Sequence, residues 1–379
     1  PAEQGPSWGC VLALDDAVIG GVVDAAGRQR GYTGRSVFSL DKATGATRWM
    51  YTAADQLLSH QIAAGDGRLF IVETTGVPKP SIFPKPGAAA RITHEIVALD
   101  LASGTCLWRN ADAPAGSYHP LQQLESYPLQ YARGIVLAAG RAAYDAATGR
   151  QLWRNDAEYR GVPLIHGGQI IAQPFIYNLR TGEQRVEADP LAGEPQPWKF
   201  IRSYGCGAYA GCATFLFFRS STIGFFDLET HGLTSYGGAR PGCSVMMIPA
   251  NGVFIVPESS SACTCSYNFQ TSLGMITARD GRQAWYVFPG EKANRPPRAV
   301  RANFGAPGDR RDAAGAPWLG FPRPQVAGAC PSPITILSDG HTFEFEPSVA
   351  ETVSNAAAPW VYSSCIAGPA TLVIDIAPQ

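Results

Sequence analysis

The sequence has little charge of either sign. Asp, Glu, Lys and Arg make up 16% of its 379 residues, against about 25% in an average soluble domain. Lys and Arg number 30 and Asp and Glu number 31, so the net charge is −1. A chain without a basic excess has no field that attracts a phosphate backbone, and we therefore predict that it does not bind nucleic acid.

Long hydrophobic runs and common active-site motifs are also missing. The most apolar stretch, residues 10–23, is interrupted by Asp15 and Asp16, and a bilayer requires roughly 20 apolar residues. We therefore predict no transmembrane span. The histidines and cysteines form no H-E-x-x-H, C-x-x-C or haem-attachment pattern, and no G-x-S-x-G, P-loop or Rossmann motif occurs. These absences remove sequence support for zinc, haem, hydrolase and nucleotide sites.

What the sequence does contain is turns and a repeat. It has 41 glycines and 30 prolines, and its 45% of hydrophobic residues suffices for a large core. One pattern recurs: an apolar strand, an Asp, a turn Gly four residues later, and a Trp four residues after the Gly. The clean copies, repeats 1 to 3, are Asp41–Trp49, Asp100–Trp108 and Asp145–Trp153. Such a Gly supplies the positive φ of a tight turn, and the Asp accepts hydrogen bonds from the turn amides.

Three further copies are degenerate. Repeat 4, Asn178–Gly182, loses the Trp; repeat 5, Asp227–His231, has His at the Gly position; and repeat 6 has Gly281 and Trp285. The repeat length is about 47 residues, which is typical of propeller blades. A second short apolar strand accompanies the later repeats, at residues 68–72, 134–138, 169–172, 214–218 and 252–256. Strands at regular intervals without a helical period predict an all-β array.

The turn pattern resembles the repeat of PQQ-like, or quinoprotein-type, β-propellers over residues 10–288. The segments with the closest likeness, to a large bacterial group of PQQ-binding-like β-propeller repeat proteins, are Tyr204–Gly207, Phe218–Ser221, Ala239–Cys243, Ile248–Gly252 and Cys263–Tyr267. The resemblance implies a β-propeller of four-stranded blades. Its tryptophans dock neighbouring blades in that family, a role implied here for Trp49, Trp108, Trp153 and Trp285. Six repeats are visible and the family closes with seven or eight blades, so we expect the missing strands upstream in a longer precursor or on another chain.

The composition changes after residue 288. We predict a propeller over residues 1–288, a Pro- and Gly-rich connecting segment over 289–333, and a small β appendage over 334–379. Alternating patterns place the strands of the appendage at residues 342–346, 360–362 and 371–376.

Three arginines flank blade strands: Arg202, Arg219 and Arg240. If they point toward a channel, they form a cationic ring suited to carboxylates or sulfates. The alternative is a set of ion pairs or carbonyl contacts between blades. His60 and His166 lie beside apolar strands, as candidate ligand contacts or as structural histidines.

The nine cysteines are many for a reducing compartment, and we therefore predict a periplasmic or extracellular location. Four of them are expected to converge at one end of the propeller: Cys206, Cys243, Cys263 and Cys265. We predict that they form two disulfides between adjacent blades, with a metal centre or redox dithiol as the alternative. Cys330 and Cys365 are candidates for a further disulfide in the C-terminal segment.

Quinoprotein dehydrogenases use a quinone, a calcium ion and a disulfide between adjacent cysteines. This chain has no Cys-Cys pair, so we predict no PQQ and no other cofactor. The acidic pairs Asp15–Asp16 and Asp309…Asp312 are candidates for calcium binding or for glycosidase-type carboxylates, and the alternative is a role in loops or turns. Tyr- and Pro-rich loops at residues 117–127 and 77–86 suit contacts with a protein or glycan.

The predicted function is an extracytoplasmic binding or assembly scaffold without its own catalysis. The family resemblance implies this role, because its non-catalytic members organise outer-membrane protein assembly. The partner is expected to be a protein or glycan, and the chain to be part of a larger protein or complex. The alternative is an enzyme with its site at the channel mouth, either a quinone- or metal-dependent oxidoreductase or an enzyme acting on polysaccharide.

Overall fold

A computed structural model describes residues 7–23, 33–75, 93–111, 129–155, 162–189, 191–242, 247–258, 265, 271–278, 284–292, 294–354 and 356–376. The chain divides into two compact units. The first unit consists of residues 1–172 and 177–183, and the second consists of residues 173–176 and 184–379.

The chain begins with a seven-stranded antiparallel sheet whose strands follow one another in sequence order. Its strands are β1 (Ser7–Ala13), β2 (Ala17–Val23), β3 (Thr33–Asp41), β4 (Thr47–Gly65), β5 (Arg68–Thr75), β6 (Thr93–Asp100) and β7 (Cys106–Asn110). A four-stranded sheet follows, formed by β8 (Gln130–Ala132), β9 (Ile135–Ala138), β10 (Ala142–Asp145) and β11 (Gln151–Arg154). The next sheet has three strands, β12 (Leu164–His166), β13 (Gln169–Ala172) and β14 (Phe175–Asn178).

The core of the first unit lies on the apolar runs that the sequence marks as strands. Strands β5 and β9 are buried along nearly their whole length, which explains why they are continuous apolar runs rather than alternating ones. Phe70 on β5 is fully buried and packs in one cluster with Ile96 and Tyr144.

The second unit continues with short antiparallel sheets. The first contains β15 (Val186–Ala188) and β16 (Pro195–Pro197); the next contains β17 (Ala210–Gly211), β18 (Phe215–Ser220), β19 (Thr222–Asp227) and β20 (Leu233–Tyr236); the third contains β21 (Ile248–Ala250), β22 (Val253–Val256) and β23 (Leu273–Met275). Their core is rich in aromatic pairs, for example the edge-to-face contact of Phe217 with Phe254.

The last part of the second unit forms three small sheets. Strand β26 (Pro317–Phe321) pairs in parallel with β24 (Ala302–Phe304) and antiparallel with β25 (Arg310–Arg311). Two antiparallel pairs follow, β27 (Ile334–Ile336) with β30 (Leu372–Ile374) and β28 (Thr342–Phe345) with β29 (Ser364–Ala367). A short helix α1 (Val349–Thr352) and a 3₁₀ helix η1 (Pro359–Ser363) complete the elements.

A buried carboxylate holds part of this region together. Asp309 is fully buried; its Oδ2 accepts a hydrogen bond from the Phe288 amide at 2.7 Å and its Oδ1 one from the Gly320 amide at 2.8 Å. Arg323 neutralises it through both carboxylate oxygens. Asp312 caps a turn instead, by accepting from the amides of Ala314 and Ala316, so both acids of this pair have structural roles.

The turn chemistry predicted for repeats 1 to 3 is confirmed. Each Asp accepts a hydrogen bond from the backbone amide three residues on, at 2.9, 2.8 and 2.9 Å for Asp41, Asp100 and Asp145. The turn glycine has a φ of 74° in repeat 1 and 73° in repeats 2 and 3. The strands predicted to accompany the repeats are confirmed as β5, β9, β13, β18 and β22.

The all-β class is confirmed. In the C-terminal segment, β28 and part of β30 match their predictions, but the strand predicted at residues 360–362 is wrong. Those residues form η1, because Pro359 at its first turn favours a helical start and Trp360 is buried edge-on against Trp285 and Trp318. The number of blades and the boundaries at residues 288 and 333 stay predictions.

No helix in the described ranges is long and apolar enough to cross a membrane.

Candidate functional site

The Trp of each clean repeat packs on the turn of the next repeat. The indole Nε1 donates to the carbonyl of the residue that follows the turn Asp or Asn: Trp49 to Leu101 at 2.9 Å, Trp108 to Ala146 at 3.1 Å, and Trp153 to Leu179 at 2.9 Å. The ring lies directly over the turn glycine. A Cβ atom at Gly104, Gly149 or Gly182 would lie 2.6–2.7 Å from that ring. Glycine is therefore required for two reasons. The backbone has a positive φ at this position, and the indole above it leaves no room for a side chain.

Repeat 5 departs from this arrangement. Its turn is intact, because Asp227 Oδ1 accepts from the amides of Glu229 and Thr230 at 2.8 and 2.9 Å. His231 takes the glycine position with a φ of 57°, a conformation that few side chains adopt. The residue that should supply the covering Trp, four positions after the Gly of repeat 4, is Val186, and its side chain is 56% exposed. Without an indole above the turn, the Cβ of His231 has room.

A different tryptophan approaches this turn. Trp198 lies edge-on to the His231 ring, with ring centroids 5.5 Å apart. Its Nε1 is buried but donates to no group that the structure describes, unlike the three docking tryptophans. Trp198 therefore contacts the turn without capping it.

An open pocket of about 270 Å³ lies beside this turn. One of its lining residues is Glu187, which directly follows the position of the missing Trp. Trp198 and Phe288 supply its aromatic walls, and Lys199, His231 and Arg311 supply basic groups. We take this pocket as the candidate ligand site of the second unit.

Most of the charged groups at the pocket are paired. Glu187 contacts Arg185 at 2.5 Å and His231 Nδ1 at 2.9 Å. Burial raises the pKa of Glu187, but the hydrogen bond and charge of His231, aided by Arg185, outweigh it and hold that pKa below its usual value. Lys199 is paired with Glu291.

Arg311 is the exception among the described basic groups of the pocket. Its guanidinium lies 4.8 Å from the centroid of the Phe288 ring, and its Nη1 donates to the Gly315 carbonyl at 2.9 Å. No described carboxylate lies within 4.0 Å of it. Burial lowers the pKa of Arg311, while the more distant charge of Glu187 raises it.

A second cluster surrounds Tyr204. The thiols of Cys265 and Cys206 lie near its hydroxyl and raise the pKa of Tyr204. Arg219 lies 5.4 Å from the centroid of the Tyr204 ring. Cys206 and Cys265 thus lie beside the same residue, but both are free thiols, so the prediction of two disulfides among the four cysteines is wrong for this structure. Cys243 and Cys263 lie outside the described residues.

The structure gives contacts or burial for each of the three arginines predicted to form a ring. Arg202 donates to the carbonyls of Arg219 and Cys206 at 2.8 Å and of Gly207 at 3.1 Å, which are the carbonyl contacts considered as the alternative. Burial lowers the pKa of Arg202. Arg219 and Arg240 are both 3% exposed. A role of the three arginines in ligand binding stays a prediction.

The remaining candidates are dispersed. His166 ends β12 and pairs with Gln169 across a hairpin. His60 lies in β4, and its side chain is outside the described part of the chain, as are the loops at residues 77–86 and 117–127. Trp285 has surroundings that differ from those of the tryptophans of the first unit. The guanidinium of Arg310 lies 3.9 Å from its ring centroid.

No disulfide forms among the cysteines that the structure describes. The Cys330–Cys365 pair is therefore wrong for this structure. Cys330 is buried with Phe288 and Leu319, and burial raises its pKa to about 12. Cys365 is exposed on β29, where its thiol faces Glu344 Oε2 at 3.9 Å.

The described residues do not fit a quinone site that relies on calcium. No group of three or more His, Cys, Asp or Glu side chains among them is arranged to hold a metal ion. Asp16 is instead bound to Arg48 at 2.7 Å, and Asp309 and Asp312 have the structural roles given above. Calcium binding and the predicted lack of a cofactor both stay predictions.

Sequence reasoning missed the pocket and a buried polar network. In the first unit, Glu73 is 5% exposed and is bound by Arg109, at 3.2 Å, and by the Tyr51 hydroxyl; nothing in the sequence marks this network. The pocket did leave a signal, because His231 at a glycine position and the Trp missing from repeat 4 are both visible in the sequence.

Comparison with known proteins agrees with the repeat geometry. Residues 93–196 match the family model described as outer membrane protein assembly factor BamB. The match includes the turns of repeats 2 and 3 and supports their resemblance to the PQQ-like repeat of β-propeller proteins.

Two solved structures are similar at low identity. BamB from Moraxella catarrhalis is 13% identical with a TM-score of 0.40, and the match covers 66% of each chain. A europium-containing methanol dehydrogenase is 12% identical with a TM-score of 0.34, covering 75% of this chain and 68% of that one. This chain thus spans 66% of the length of the BamB structure. No curated protein matches the sequence.

Proposed function

We propose that this chain is a non-catalytic binding scaffold in an extracytoplasmic protein assembly. The observation that carries the proposal is the match of residues 93–196 to the model of an outer membrane protein assembly factor. Rigid repeats suit such a role, because each docking Trp fixes the next turn through a ring contact and a hydrogen bond. The extracytoplasmic location rests on the same match, because none of the cysteines that the structure describes forms a disulfide.

Strand β30 is the partner surface that we propose. It pairs only with β27 in a two-stranded sheet, so its other edge is unpaired among the described strands. Leu372, Val373 and Ile374 are 38%, 47% and 47% exposed. An apolar strand with a free edge is suited to pairing with a strand of another protein.

The test compares two exposed apolar residues on strands. Val373 on β30 is 47% exposed and Ile255 on β22 is 38% exposed, but β22 is paired along both edges, with β21 and β23. Tagged wild type, Val373→Lys and Ile255→Lys would be expressed in the native host, fractionated, and run on native gels after mild solubilisation. We expect wild type and Ile255→Lys outside the cytoplasm in a complex well above the 40.3 kDa chain, and Val373→Lys released from it, because a charge at the interface is costly to bury.

Three results would overturn the scaffold proposal, and a fourth would overturn the choice of β30. A wild-type chain that migrates as a monomer, or that fractionates with the cytoplasm, contradicts an extracytoplasmic assembly. Reduction of an artificial electron acceptor by the purified chain after reconstitution with PQQ and calcium would replace the scaffold with the enzyme alternative. Release of both Lys variants alike would contradict β30 as the contact surface.

A further inference from the structure

The pocket beside Trp198 contains a guanidinium without a counter-ion. Arg311 lines this pocket, is partly buried, and has no described carboxylate within ion-pair distance. Removing a cation from water is costly unless an anion or hydrogen-bond acceptors replace the water. One N–H group of Arg311 donates to the Gly315 carbonyl, and the planar fork retains further donors.

The other charged groups at the pocket already have partners. Lys199 is paired with Glu291, and Glu187 with Arg185 and His231. Asp189 Oδ1 accepts from the backbone amides of its own turn at 2.9 and 2.6 Å. Arg311 is therefore the described group that an incoming anion would neutralise.

The walls of the pocket are apolar and aromatic. Trp198 and Phe288 are 3% and 1% exposed, and both line the pocket. The Trp198 Nε1 donor is buried and unused, which is rare for a buried polar group. An acceptor atom on a ligand would satisfy it.

We propose that this pocket binds a small monocarboxylate with an aromatic or short apolar body. The carboxylate pairs with the guanidinium of Arg311, because arginine matches the two oxygens of a carboxylate in a bidentate contact. The body of the ligand lies against Trp198 and Phe288. This site is independent of the β30 surface and of the scaffold role.

The same pocket disfavours a second negative charge. Glu187 and Asp189 both line it, and an additional carboxylate on the ligand would lie near one of them and be repelled. The volume of about 270 Å³ suits a ligand of one ring rather than an oligomer. We therefore expect a preference for monoanions over dianions and over inorganic phosphate.

Benzoate is the probe for the test. Titration calorimetry or ligand-detected NMR on the full chain would compare benzoate with benzamide, which has the same shape without the charge, and with isophthalate and inorganic phosphate. We expect saturable 1:1 binding of benzoate with a Kd of about 1 mM or lower. Benzamide is expected to bind at least about tenfold more weakly, because a charge-assisted bidentate contact is lost.

Variants then assign the contact to one arginine. Arg311→Gln is expected to weaken benzoate binding at least about tenfold. Arg310→Gln, one residue earlier on β25, is the matched control, because Arg310 stacks on Trp285 instead; its affinity should stay unchanged, with folding checked by thermal unfolding. Equal binding of benzoate and benzamide to wild type, no saturable benzoate binding, phosphate binding as tight as benzoate, or an unaffected Arg311→Gln would each overturn the proposal.

Discussion

The turns of the first unit and the turn of repeat 5 in the second unit have the same backbone but different surroundings. Gly149 has a φ of 73° beneath the indole of Trp108, whereas His231 has a φ of 57° beside an open pocket. In both turns an acidic Oδ1 accepts from the following amides. The turn itself therefore tolerates a side chain, and the docking Trp is what excludes one.

The difference also shows how a repeat acquires a ligand site. Where the Trp is present, its ring fills the space above the turn and its Nε1 uses the available carbonyl. Where it is replaced by Val186, the space remains and a turn residue gains a side chain that reaches Glu187. The candidate pocket thus lies beside the turn that lacks a docking Trp, and Phe288 and Arg311 from a later segment complete its wall.

The largest effect that this comparison predicts is for Trp153→Ala. The side chain is 9% exposed and donates to Leu179, so its loss leaves a cavity and an unpaired carbonyl. We expect the free energy of unfolding to fall by about 3–5 kcal/mol, measured by urea denaturation. Trp8→Ala is the control, because Trp8 is 53% exposed; an equal loss in both variants would contradict the docking role.

A smaller effect separates the two kinds of turn. Gly149→Ala places a Cβ 2.6 Å from the Trp108 ring at a positive φ, and we expect a loss of about 1–3 kcal/mol. His231→Gly puts at this positive φ a residue that adopts it without strain, but it removes the contact with Glu187. The free energy of unfolding of this variant should therefore stay within about 1 kcal/mol of wild type. The same denaturation experiment measures both, and equal losses would mean that the covering indole does not matter.

The smallest effect concerns pH. The Ser103 hydroxyl and amide, helped by the Ala102 amide, lower the pKa of Asp100. A lowered folded-state pKa stabilises the fold above the unfolded value of about 3.9, and this contribution is lost as the pH falls from there through the lower folded pKa. Asn keeps the acceptor, as Asn178 does in repeat 4. We therefore expect Asp100→Asn to have a lower Tm than wild type at about pH 7, and the difference in Tm to shrink steadily as the pH is lowered below about 3.9. A Tm difference that stays undiminished in acid would contradict this cause.

The features that could be predicted from the sequence are those that depend on a few neighbouring residues. The Asp-x3-Gly-x3-Trp pattern determines its own turn and strand, so the turns at Gly45, Gly104 and Gly149 were predictable residue by residue. The pocket was not, because it depends on Arg311, which is distant in sequence from His231 and lies in a segment without periodicity. Residues 360–362 alternate like a strand, but Pro359 and the burial of Trp360 favour a helical turn.

The carboxylate of Asp309 has a consequence for the order in which the second unit is completed. Its partners at Phe288, Gly320 and Arg323 lie on both sides of it in the sequence. A nascent chain that ends before residue 323 holds an acid with no counter-charge at a site that is fully buried in the finished protein. Residues 289–333 are therefore not a spacer that an engineer can shorten freely. They supply the charge that allows the Asp309 carboxylate and the Phe288 amide to be buried together, and truncation libraries should tolerate cuts after this segment far better than cuts within it.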